Sequence, residues 1–292
     1  MILVFGSINL DLIFPVQHLP APGETMLGGG FVMLPGGKGA NQALAAARDG
    51  GRVTLVGAVG RDAFAEAALD LVRKAGIDLS YLSTLDWPTG CASVVIEAGG
   101  DNQIAVASGA NAHASASHVP DHLLGAGCTI VLQLEAPPGP TLALARRAKA
   151  LGGRVILNLA PARDDAEALL DTIDVVVANE GEAATLGVPA EVATRHGITV
   201  IVTRGEAGAI VHRPEGGSLA VPALPITAID TTGAGDCFVG VLAVALDRGI
   251  SMASALRRAT VAAGLACGMR GAQPSIPSAA MIDEALSSFP AV

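Results

Sequence analysis

The stretch Asp174-Val-Val-Val-Ala-Asn-Glu-Gly-Glu-Ala-Ala-Thr-Leu186 holds a strand, a polar turn and the beginning of a helix. Its three consecutive valines predict a β-strand over residues 174–177, because branched apolar side chains favour an extended backbone. A strand that is apolar at successive positions is buried on both faces, which is typical of parallel sheets covered by helices. The alanine-containing run over residues 180–186 predicts one of those helices.

The same alternation of strand and helix recurs along the chain. Strands are predicted at residues 2–5, 53–56, 129–132, 155–157, 174–177 and 199–203. Helices are predicted at residues 39–48, 63–75, 140–150, 180–186, 234–247 and 251–268. Short buried strands that alternate with helices predict an α/β fold, with a doubly wound, mostly parallel sheet flanked by helices.

Two stretches, at about residues 12–34 and 91–107, break this alternation. They carry strand-like residues and turns, one of them at residues 97–102, but they leave no room for crossover helices. We interpret them as a small antiparallel β lid, inserted discontinuously into a single domain that covers residues 1–292. Polar and apolar residues alternate poorly in this lid, which favours a second subunit covering one face and therefore a homodimer.

The composition is that of an acidic globular protein. Of the 292 residues 51% are hydrophobic, and 27 acidic against 18 basic residues give a net charge of −9. A chain without a basic block lacks the electrostatic footprint of a nucleic-acid-binding protein. No apolar run approaches the roughly 18–20 residues of a membrane span, and no signal peptide is indicated. The four cysteines are far apart and form no disulfide or zinc pattern, so we expect a cytoplasmic location.

The strongest chemical signal is Asp230-Thr-Thr-Gly-Ala-Gly-Asp236, which an apolar helical run follows directly. Small residues allow the backbone to approach an anion, and the first N–H groups of a helix have no intrahelical partner. Asp236 lies at the start of the same helix, where a general base could act on a group next to a phosphate. In isolation, the same letters are also compatible with a turn that ends in an Asp cap.

A second glycine-rich segment, Pro35-Gly-Gly-Lys-Gly-Ala-Asn-Gln-Ala43, precedes a helix. Its glycines permit close ligand approach, while Lys38 offers a cation and Asn41 both donors and an acceptor, a set that suits a polyhydroxyl ligand. The segment does not satisfy the P-loop pattern, and the first strand is not followed by a dinucleotide-binding glycine motif. A glycine-rich helix start with a solvated lysine is the alternative.

Polar residues also follow the predicted strands, at the edge where open α/β sheets bind ligands. Asn9 and Asp11 come after the first strand and Glu135 after the strand at residues 129–132. Asn179 and Glu182 share one helix face, which suits either a hydrated cation or a helix cap. The glycines within residues 203–208 favour either a flat base lying against the backbone or a hairpin turn.

Taken together, these segments resemble the ribokinase family of carbohydrate kinases, also called the PfkB family, over nearly the whole chain. The likeness rests on eight motifs in order, which are Gly6-Ser-Ile-Asn-Leu-Asp11, Pro22-Gly-Glu-Thr, Gly36-Gly-Lys-Gly-Ala-Asn-Gln-Ala43, Gly57-Ala-Val-Gly-Arg-Asp62, Leu132-Gln-Leu-Glu135, Asn179-Glu-Gly-Glu182, Asp230-Thr-Thr-Gly-Ala-Gly-Asp236 and Gly271-Ala-Gln-Pro-Ser275.

The resemblance implies ATP-dependent phosphorylation of a primary hydroxyl, with D-ribose to ribose 5-phosphate as the leading reaction and a β lid closing over the sugar. Asp236 would accept the proton of that hydroxyl. The residues implied for the anion hole are Gly233, Ala234 and Gly235. Those implied for the sugar are Asn9, Asp11, Gly37, Lys38, Asn41, Glu135 and Asp236. Those implied for the apolar sugar contacts of the lid are Cys91, Ala92, Val94 and Ile104.

The resemblance also implies a nucleotide site, Mg²⁺ and an activating monovalent cation, with K⁺ expected. The implied nucleotide residues are Asn179, Glu182, Thr203, Gly205, Gly208, Gly235 and Thr260, and Glu182 would hold Mg²⁺ through water. The implied residues of the monovalent-cation site are Asp230, Thr232, Ala266, Met269, Gly271 and Ser275. Thr260 departs from the Asn or His that family members often carry beside adenine, and Met269-Arg270 replaces a more basic pair.

Three other functions stay open at the level of sequence. A nucleoside kinase or another sugar kinase of the same family would differ mainly in the space under the lid. A non-catalytic sugar-binding sensor belongs to a different class, although the presence of Asp236 beside the glycine motif argues against it. A dinucleotide-dependent oxidoreductase would need the glycine fingerprint that is missing after the first strand.

Overall fold

The computed structural model describes residues 1–97, 99 and 101–290. In chain order its strands are β1 (Ile2–Phe5), β2 (Asn9–Val16), β3 (Val32–Gly36), β4 (Val53–Gly60), β5 (Leu82–Leu85), β6 (Gly90–Glu97), β7 (Asn102–Ala107), β8 (Thr129–Leu132), β9 (Arg154–Asn158), β10 (Val175–Asn179), β11 (Thr199–Thr203), β12 (Ala209–His212) and β13 (Ser218–Val221). Its α-helices are α1 (Lys38–Arg48), α2 (Ala63–Lys74), α3 (Pro138–Ala150), α4 (Glu180–Ala184), α5 (Pro189–His196), α6 (Ala234–Asp247), α7 (Met252–Cys267) and α8 (Ala279–Ser288).

Nine strands form the main sheet, in the order β13-β12-β11-β10-β9-β8-β1-β4-β5. Every neighbouring pair from β5 to β11 is parallel, whereas β12 and β13 add an antiparallel hairpin at one edge. The predicted α/β class with a mostly parallel sheet and flanking helices is therefore confirmed. Among the described residues, no helix is both long enough and apolar enough to cross a lipid bilayer.

The central strand β1 shows why its sequence is apolar throughout. Successive side chains of a strand point to opposite faces, so Ile2 and Val4 pack into one core while Leu3 and Phe5 pack into the other. The first core contains helices α1, α2, α6 and α7, and the second contains α3 and α5. Each side chain of β1 is buried, as a sheet covered on both faces requires.

Helix α6 is an interior helix, buried at every position from Asp236 to Leu246. It packs closely against α1, and Gly240 makes that approach possible. A Cβ at Gly240 would lie 2.5 Å from the Gln42 carbonyl oxygen and 2.6 Å from Ala45 Cβ, so any side chain there would push the two helices apart. This close packing brings the beginning of α1 to the beginning of α6.

The four remaining strands form the small sheet, in the order β3-β2-β6-β7. Its two outer pairs, β2 with β3 and β6 with β7, are antiparallel, and the two hairpins are joined through a parallel pairing of β2 with β6. Strand β2 starts at Asn9 and β3 ends at Gly36, so the sheet extends slightly beyond the expected residues 12–34. Ala98 and Gly100, in the predicted turn at 97–102, lie outside the described residues.

One face of the small sheet exposes large apolar side chains. Between about half and three-fifths of the surface of each is accessible to solvent, and these residues are Val32, Ile104 and Val106. The strand pairing aligns them through Ile13 and Val94, whereas Met33, the neighbour of Val32 on β3, points to the opposite face. Phe31 stacks on Phe14, with ring centroids 5.6 Å apart. We call the set Val32, Ile104 and Val106 the apolar lid face.

Candidate active site

Helix α6 begins where the carboxyl ends of the main-sheet strands converge. Gly233 caps it with a left-handed backbone (φ 77°), and a Cβ there would lie 2.8 Å from Ala272 Cβ. By contrast, no atom lies within 4 Å of the Cβ position of Gly235, which faces open space. The N–H of Ala234 already donates to the Thr231 carbonyl at 3.2 Å. The predicted glycine bend therefore lies at the start of α6, and Gly235 is on the side of the helix that faces open space.

Asp236 lies in the first turn of α6 and is 6% exposed. Asn41 Nδ2 donates to its Oδ2 at 2.9 Å and Gln42 Nε2 donates to its Oδ1 at 2.8 Å. Burial raises the pKa of Asp236, whereas the Lys38 charge and the two amide donors oppose that rise. Asp236 is thus a buried carboxyl that neighbouring donors hold in place.

A second group of charged residues lies beside Asp236. Glu135 accepts a hydrogen bond from Ser7 Oγ and another from the Lys38 backbone N–H, while Lys38 Nζ is 4.0 Å from Glu135 Oε1. Burial lowers the pKa of Lys38, but the surrounding carboxylates outweigh it and leave the pKa above its ordinary value. Those carboxylates are Asp236, Glu135, Glu182 and Asp11.

Asp11 belongs to the same charge cluster. Burial raises its pKa to about 6, and the carboxylates of Glu135 and Asp236 add to the shift. Lys38 opposes it. The predicted residues Asp11, Lys38 and Glu135 therefore form one electrostatic unit with Asp236.

Two glycines make room for this unit. A Cβ at Gly36 would lie 2.2 Å from Asp11 Oδ2. Gly37 has a φ of 88°, and a Cβ there would lie 2.7 Å from the Asn9 backbone nitrogen. Larger residues at either position would displace β2, which carries both Asn9 and Asp11.

Asn9 is buried, and its side chain is oriented by a residue that the sequence did not single out. Asn111 Nδ2 donates to Asn9 Oδ1 at 2.8 Å, and Asn111 Oδ1 accepts the Ile8 N–H at 2.9 Å. A Cβ at Gly90 would lie 2.2 Å from Asn111 Nδ2. Because the side-chain oxygen of Asn9 already accepts a hydrogen bond from Asn111, the side-chain NH₂ of Asn9 is the group left to face a ligand.

Asn179 and Glu182 form a capping box at the start of α4. Asn179 Oδ1 accepts the Glu182 N–H, and Glu182 Oε2 accepts the Asn179 N–H, both at 2.8 Å. The helix-cap interpretation thus describes their local structure. Glu182 also raises the pKa of Lys38, which places its charge within electrostatic range of the central cluster.

The remaining residues predicted for a nucleotide lie at the end of β11, in the turn that follows it and on α7. The 3₁₀ turn Gly205–Ala207 links β11 to β12, so residues 203–208 form the hairpin turn that was one of the two interpretations. A Cβ at Gly208 would lie 2.0 Å from the Val221 carbonyl oxygen. Thr203 Oγ1 donates to the Ala178 carbonyl at 3.4 Å. Thr260, on α7, is buried, and its hydroxyl has no hydrogen-bond partner among the described residues.

Asp230 organises the loop that precedes α6. Its Oδ1 accepts the Thr232 N–H at 2.9 Å and its Oδ2 accepts the Gly271 N–H at 2.8 Å. Burial would raise the pKa of Asp230, but these donors and the Arg270 charge outweigh it and lower the pKa. Ser275 Oγ donates to the Ala272 carbonyl at 3.0 Å. The structure thus joins Asp230 to the loop at residues 271–275.

The small sheet and the loop at residues 271–275 also contact each other. Gln273 is fully buried, and its Nε2 donates to the Gly36 carbonyl at 3.4 Å. Arg48 NH1 donates to the Gln273 carbonyl at 2.9 Å. Within the described residues no cluster of three His, Cys, Asp or Glu side chains is arranged to hold a metal ion.

Comparisons with known proteins agree over the length of the chain. The profile of the pfkB family carbohydrate kinases matches residues 1–279. A ribokinase of Lactococcus lactis subsp. lactis is 36% identical, over 94% of this chain and 93% of its own. The crystal structure of a Thermotoga maritima ribokinase is 31% identical, with a TM-score of 0.90, over 98% of this chain and 99% of its own. An Arabidopsis thaliana ribokinase, solved with ribose and ATP, is 31% identical, with a TM-score of 0.88, over 99% of both chains.

Proposed function

This chain belongs to the pfkB family of carbohydrate kinases, and on that premise we propose that it is an ATP-dependent kinase of D-ribose. The reaction would transfer the γ-phosphoryl group to the primary hydroxyl and yield ribose 5-phosphate and ADP. The observation that carries the proposal is the Asp236 carboxyl, held by two amides at the opening of α6. The relative that was solved with both ribose and ATP supports the choice of substrates.

The buried carboxyl supplies the base. The proton of the sugar hydroxyl would pass to Asp236 as the hydroxyl oxygen forms a bond to the γ-phosphorus and the bond from that phosphorus to the bridging oxygen of ADP breaks. The protein's main contribution is to hold the two reactants in line. Backbone N–H groups of the first turn of α6, next to the open position at Gly235, would stabilise charge on the phosphoryl oxygens.

The sugar would bind between β2 and the start of α1. Carboxylates accept hydrogen bonds from hydroxyls, which fits Asp11 and Glu135, whereas the oriented amide of Asn9 can donate one. Lys38 would keep this acidic pocket from repelling the phosphates of the second substrate. Gly37 and Asn41 would complete the contacts with the sugar.

The nucleotide would lie over α6, α7 and the β11–β12 hairpin. The residues that fit this role are Asn179, Glu182, Thr203, Gly205, Gly208, Gly235 and Thr260. The unpartnered Thr260 hydroxyl is an observation in favour, because a buried polar group without a partner is costly. The Mg²⁺ that accompanies ATP neutralises charge on its phosphates, and Glu182, which commits only Oε2 to the helix cap, could bind that ion through water.

The loop beside α6 has the donor set that a monovalent cation prefers. Asp230 is a carboxylate that the Gly271 N–H ties to this loop, and carboxylate and main-chain carbonyl oxygens suit hard cations. The residues proposed to hold K⁺ are Asp230, Thr232, Ala266, Met269, Gly271 and Ser275. When bound, the cation would supply positive charge beside the anion-binding turn of α6.

The small sheet would act as a lid over the sugar and as the contact between two subunits. The apolar lid face is the observation that favours a homodimer, because contiguous exposed apolar surface marks interaction sites. We also propose a cytoplasmic location, which suits ATP as a substrate. The four free cysteines are consistent with it.

A panel of substrates tests this function. ADP release is measured with ribose, 2-deoxyribose, fructose and nucleosides, and we expect ribose to give the highest kcat/KM. Asp236→Asn should lower kcat by about 10²- to 10⁴-fold and still bind ribose in calorimetry, since the amide keeps the size of the side chain but cannot accept the hydroxyl proton. A preference for a nucleoside would contradict ribose as substrate, and no ADP release with any of these alcohols would contradict a kinase.

A further inference from the structure

Two glutamines that the proposed reaction does not use lie directly behind Asp236. Gln42 lies on α1, in the part of the glycine-rich motif that forms the start of that helix, and Gln133 follows strand β8. Both side chains are completely buried. Gln133 Nε2 donates to Gln42 Oε1 at 2.8 Å, and Gln42 Nε2 donates to Asp236 Oδ1 at 2.8 Å. The two amides therefore form an unbranched chain that ends on the carboxyl.

The direction of this chain is determined by chemistry. An ionised carboxylate only accepts hydrogen bonds, so Gln42 has to present its NH₂ to Asp236 and its oxygen to the other side. That oxygen in turn needs a donor, which fixes the NH₂ of Gln133 towards it. If Gln133 were turned over, two amide oxygens would face each other and the chain would break.

The Gln133 end of these hydrogen-bonded amides costs free energy, because it leaves a buried oxygen without a partner. Gln133 Oε1 is buried and has no hydrogen-bond partner within the part of the chain that the structure describes. It lies against the backbone of Gly6, where a Cβ would be only 1.8 Å from it. Buried acceptors without partners are rare and destabilising. This orientation of Gln133 is nevertheless the one in which its NH₂ donates to Gln42, so that Gln42 can donate to Asp236.

We propose that Gln42 and Gln133 are positioning residues, which act as a fixed amide relay that orients the Asp236 carboxylate and holds it ready to accept the hydroxyl proton. The inference rests on the proposed role of Asp236 as base. Asn41 Nδ2 holds the other oxygen, so the relay and Asn41 together fix both ends of the carboxylate. The remaining lone pairs of the carboxylate are then directed at the substrate.

The relay also has an electrostatic consequence. Hydrogen bonds to a carboxylate favour its charged form and oppose the effect of burial. Gln42 is one of the groups that lower the pKa of Asp236 against the rise caused by desolvation. Loss of the Gln42 donor should therefore shift the ionisation of Asp236 to higher pH.

The test compares Gln42→Met, Gln133→Met and the double variant, since methionine keeps the volume and removes the amide. We measure kcat and sugar KM from pH 5 to 9. Gln42→Met should lower kcat by about tenfold or more, leave KM within about twofold and move the acid limb of kcat to higher pH. Gln133→Met should give a smaller change in the same direction, because Gln42 keeps its donor but loses its fixed orientation.

The double variant distinguishes a relay from two independent structural residues. Once Gln42 is gone, Gln133 no longer acts on Asp236, so the double variant should have the kcat of Gln42→Met alone. The relay would be overturned if the fold-losses in kcat of the two single variants multiply in the double variant. It would also be overturned if the acid limb of kcat does not move in Gln42→Met. If wild-type protein phosphorylates ribose and Asp236→Asn does not, such a result would leave the proposed function intact.

Thr129→Val is the matched control for stability. Thr129 is buried at the amino end of β8, the end of the strand away from Gln133, and its hydroxyl donates to Asp247 Oδ1 at 3.1 Å. We expect this variant to lower the melting temperature, as loss of a buried hydrogen bond should, with an unchanged pH profile. A pH shift in Thr129→Val equal to that of Gln42→Met would contradict the relay.

Discussion

Lys38 is surrounded by acidic residues at the centre of the site. Two of them, Asp11 and Asp236, differ in the groups that act on their pKa values. Asp11 and Asp236 both have raised pKa values because they are buried, but Asp236 receives two amide donors that keep a carboxylate favourable. At Asp11 it is the charge of Lys38 that opposes the rise in pKa. Burial raises the pKa of Asp11 to about 6, so the charge of Asp11 should change under mildly acidic conditions.

We expect the sugar KM to rise as the pH falls through about 6, the pKa of Asp11. Protonation converts a carboxylate that accepts hydrogen bonds from hydroxyls into a group with less capacity to do so. Asp11→Asn should have a high KM at every pH and lack this acid limb. A wild-type KM that is flat between pH 5 and 8 would contradict the assignment of Asp11 to the sugar.

The same pKa predicts a gain in stability for Asp11→Asn. The pKa of Asp11 is raised from 3.8 to about 6 in the folded protein. With respect to this group, the wild type is therefore most stable below pH 3.8, and its free energy of unfolding falls as the pH rises from 3.8 through about 6. At pH 8 the variant should be more stable by an amount of the order of 3 kcal/mol, and at pH 3.5 the difference should vanish. Urea unfolding at the two pH values measures it.

Much of the charged cluster could be identified from sequence, but its amide partners could not. Asp11, Lys38, Glu135 and Asp236 follow strands or open helices, which are positions that local patterns mark. The functions of Asn111, Gln42 and Gln133 arise from contacts across about a hundred residues: Asn111 bonds to Asn9 at a separation of 102, and Gln133 to Gln42 at 91. No local pattern carries that information.

At the scale of elements, burial determined which strands could be predicted. Strands β1, β8 and β11 have the bounds that their apolar runs indicate. The edge strand β13 mixes exposed and buried residues over four positions, so its sequence lacks both a continuous apolar run and a clean alternation. Helix α4 is shorter than predicted and ends at Ala184, shortly before Gly187.

The start of α6 gives a matched pair of glycine substitutions. Gly233→Ala should destabilise the protein by about 1–3 kcal/mol and lower kcat, because it requires a positive φ and would collide with Ala272. Gly235→Ala is expected to keep the stability of the wild type, since its Cβ would point into open space. Thermal unfolding of both variants provides the comparison, and equal loss of stability would contradict this geometry.

For the whole molecule, the main sheet is covered by helices on both faces, while the small sheet leaves the apolar lid face exposed. The poor alternation in the two lid segments led to the expectation of a second subunit. The apolar lid face is where such a subunit would bind. Sequence alone could not identify this face, because the pairing of β2 with β6 joins segments that are far apart.

We expect Val106→Asp to convert the proposed dimer to a monomer in sedimentation experiments, because a charge within an apolar contact is costly to bury. Val188→Asp is the matched control: Val188 is similarly exposed, at 55% against 53%, but lies at the start of α5. A Val106→Asp protein with the mass of the wild-type assembly would contradict this interface.

Gly240 has a practical consequence for engineering the enzyme. Replacing helical glycines with alanine is a common way to raise thermal stability, and Gly240, in the interior of α6, is an obvious candidate for that substitution. Here the added methyl group would wedge α1 away from α6 and separate Asn41 and Gln42 from Asp236. Efforts to raise the thermal stability of this protein should therefore keep Gly240 and begin on surfaces remote from the contact between α1 and α6.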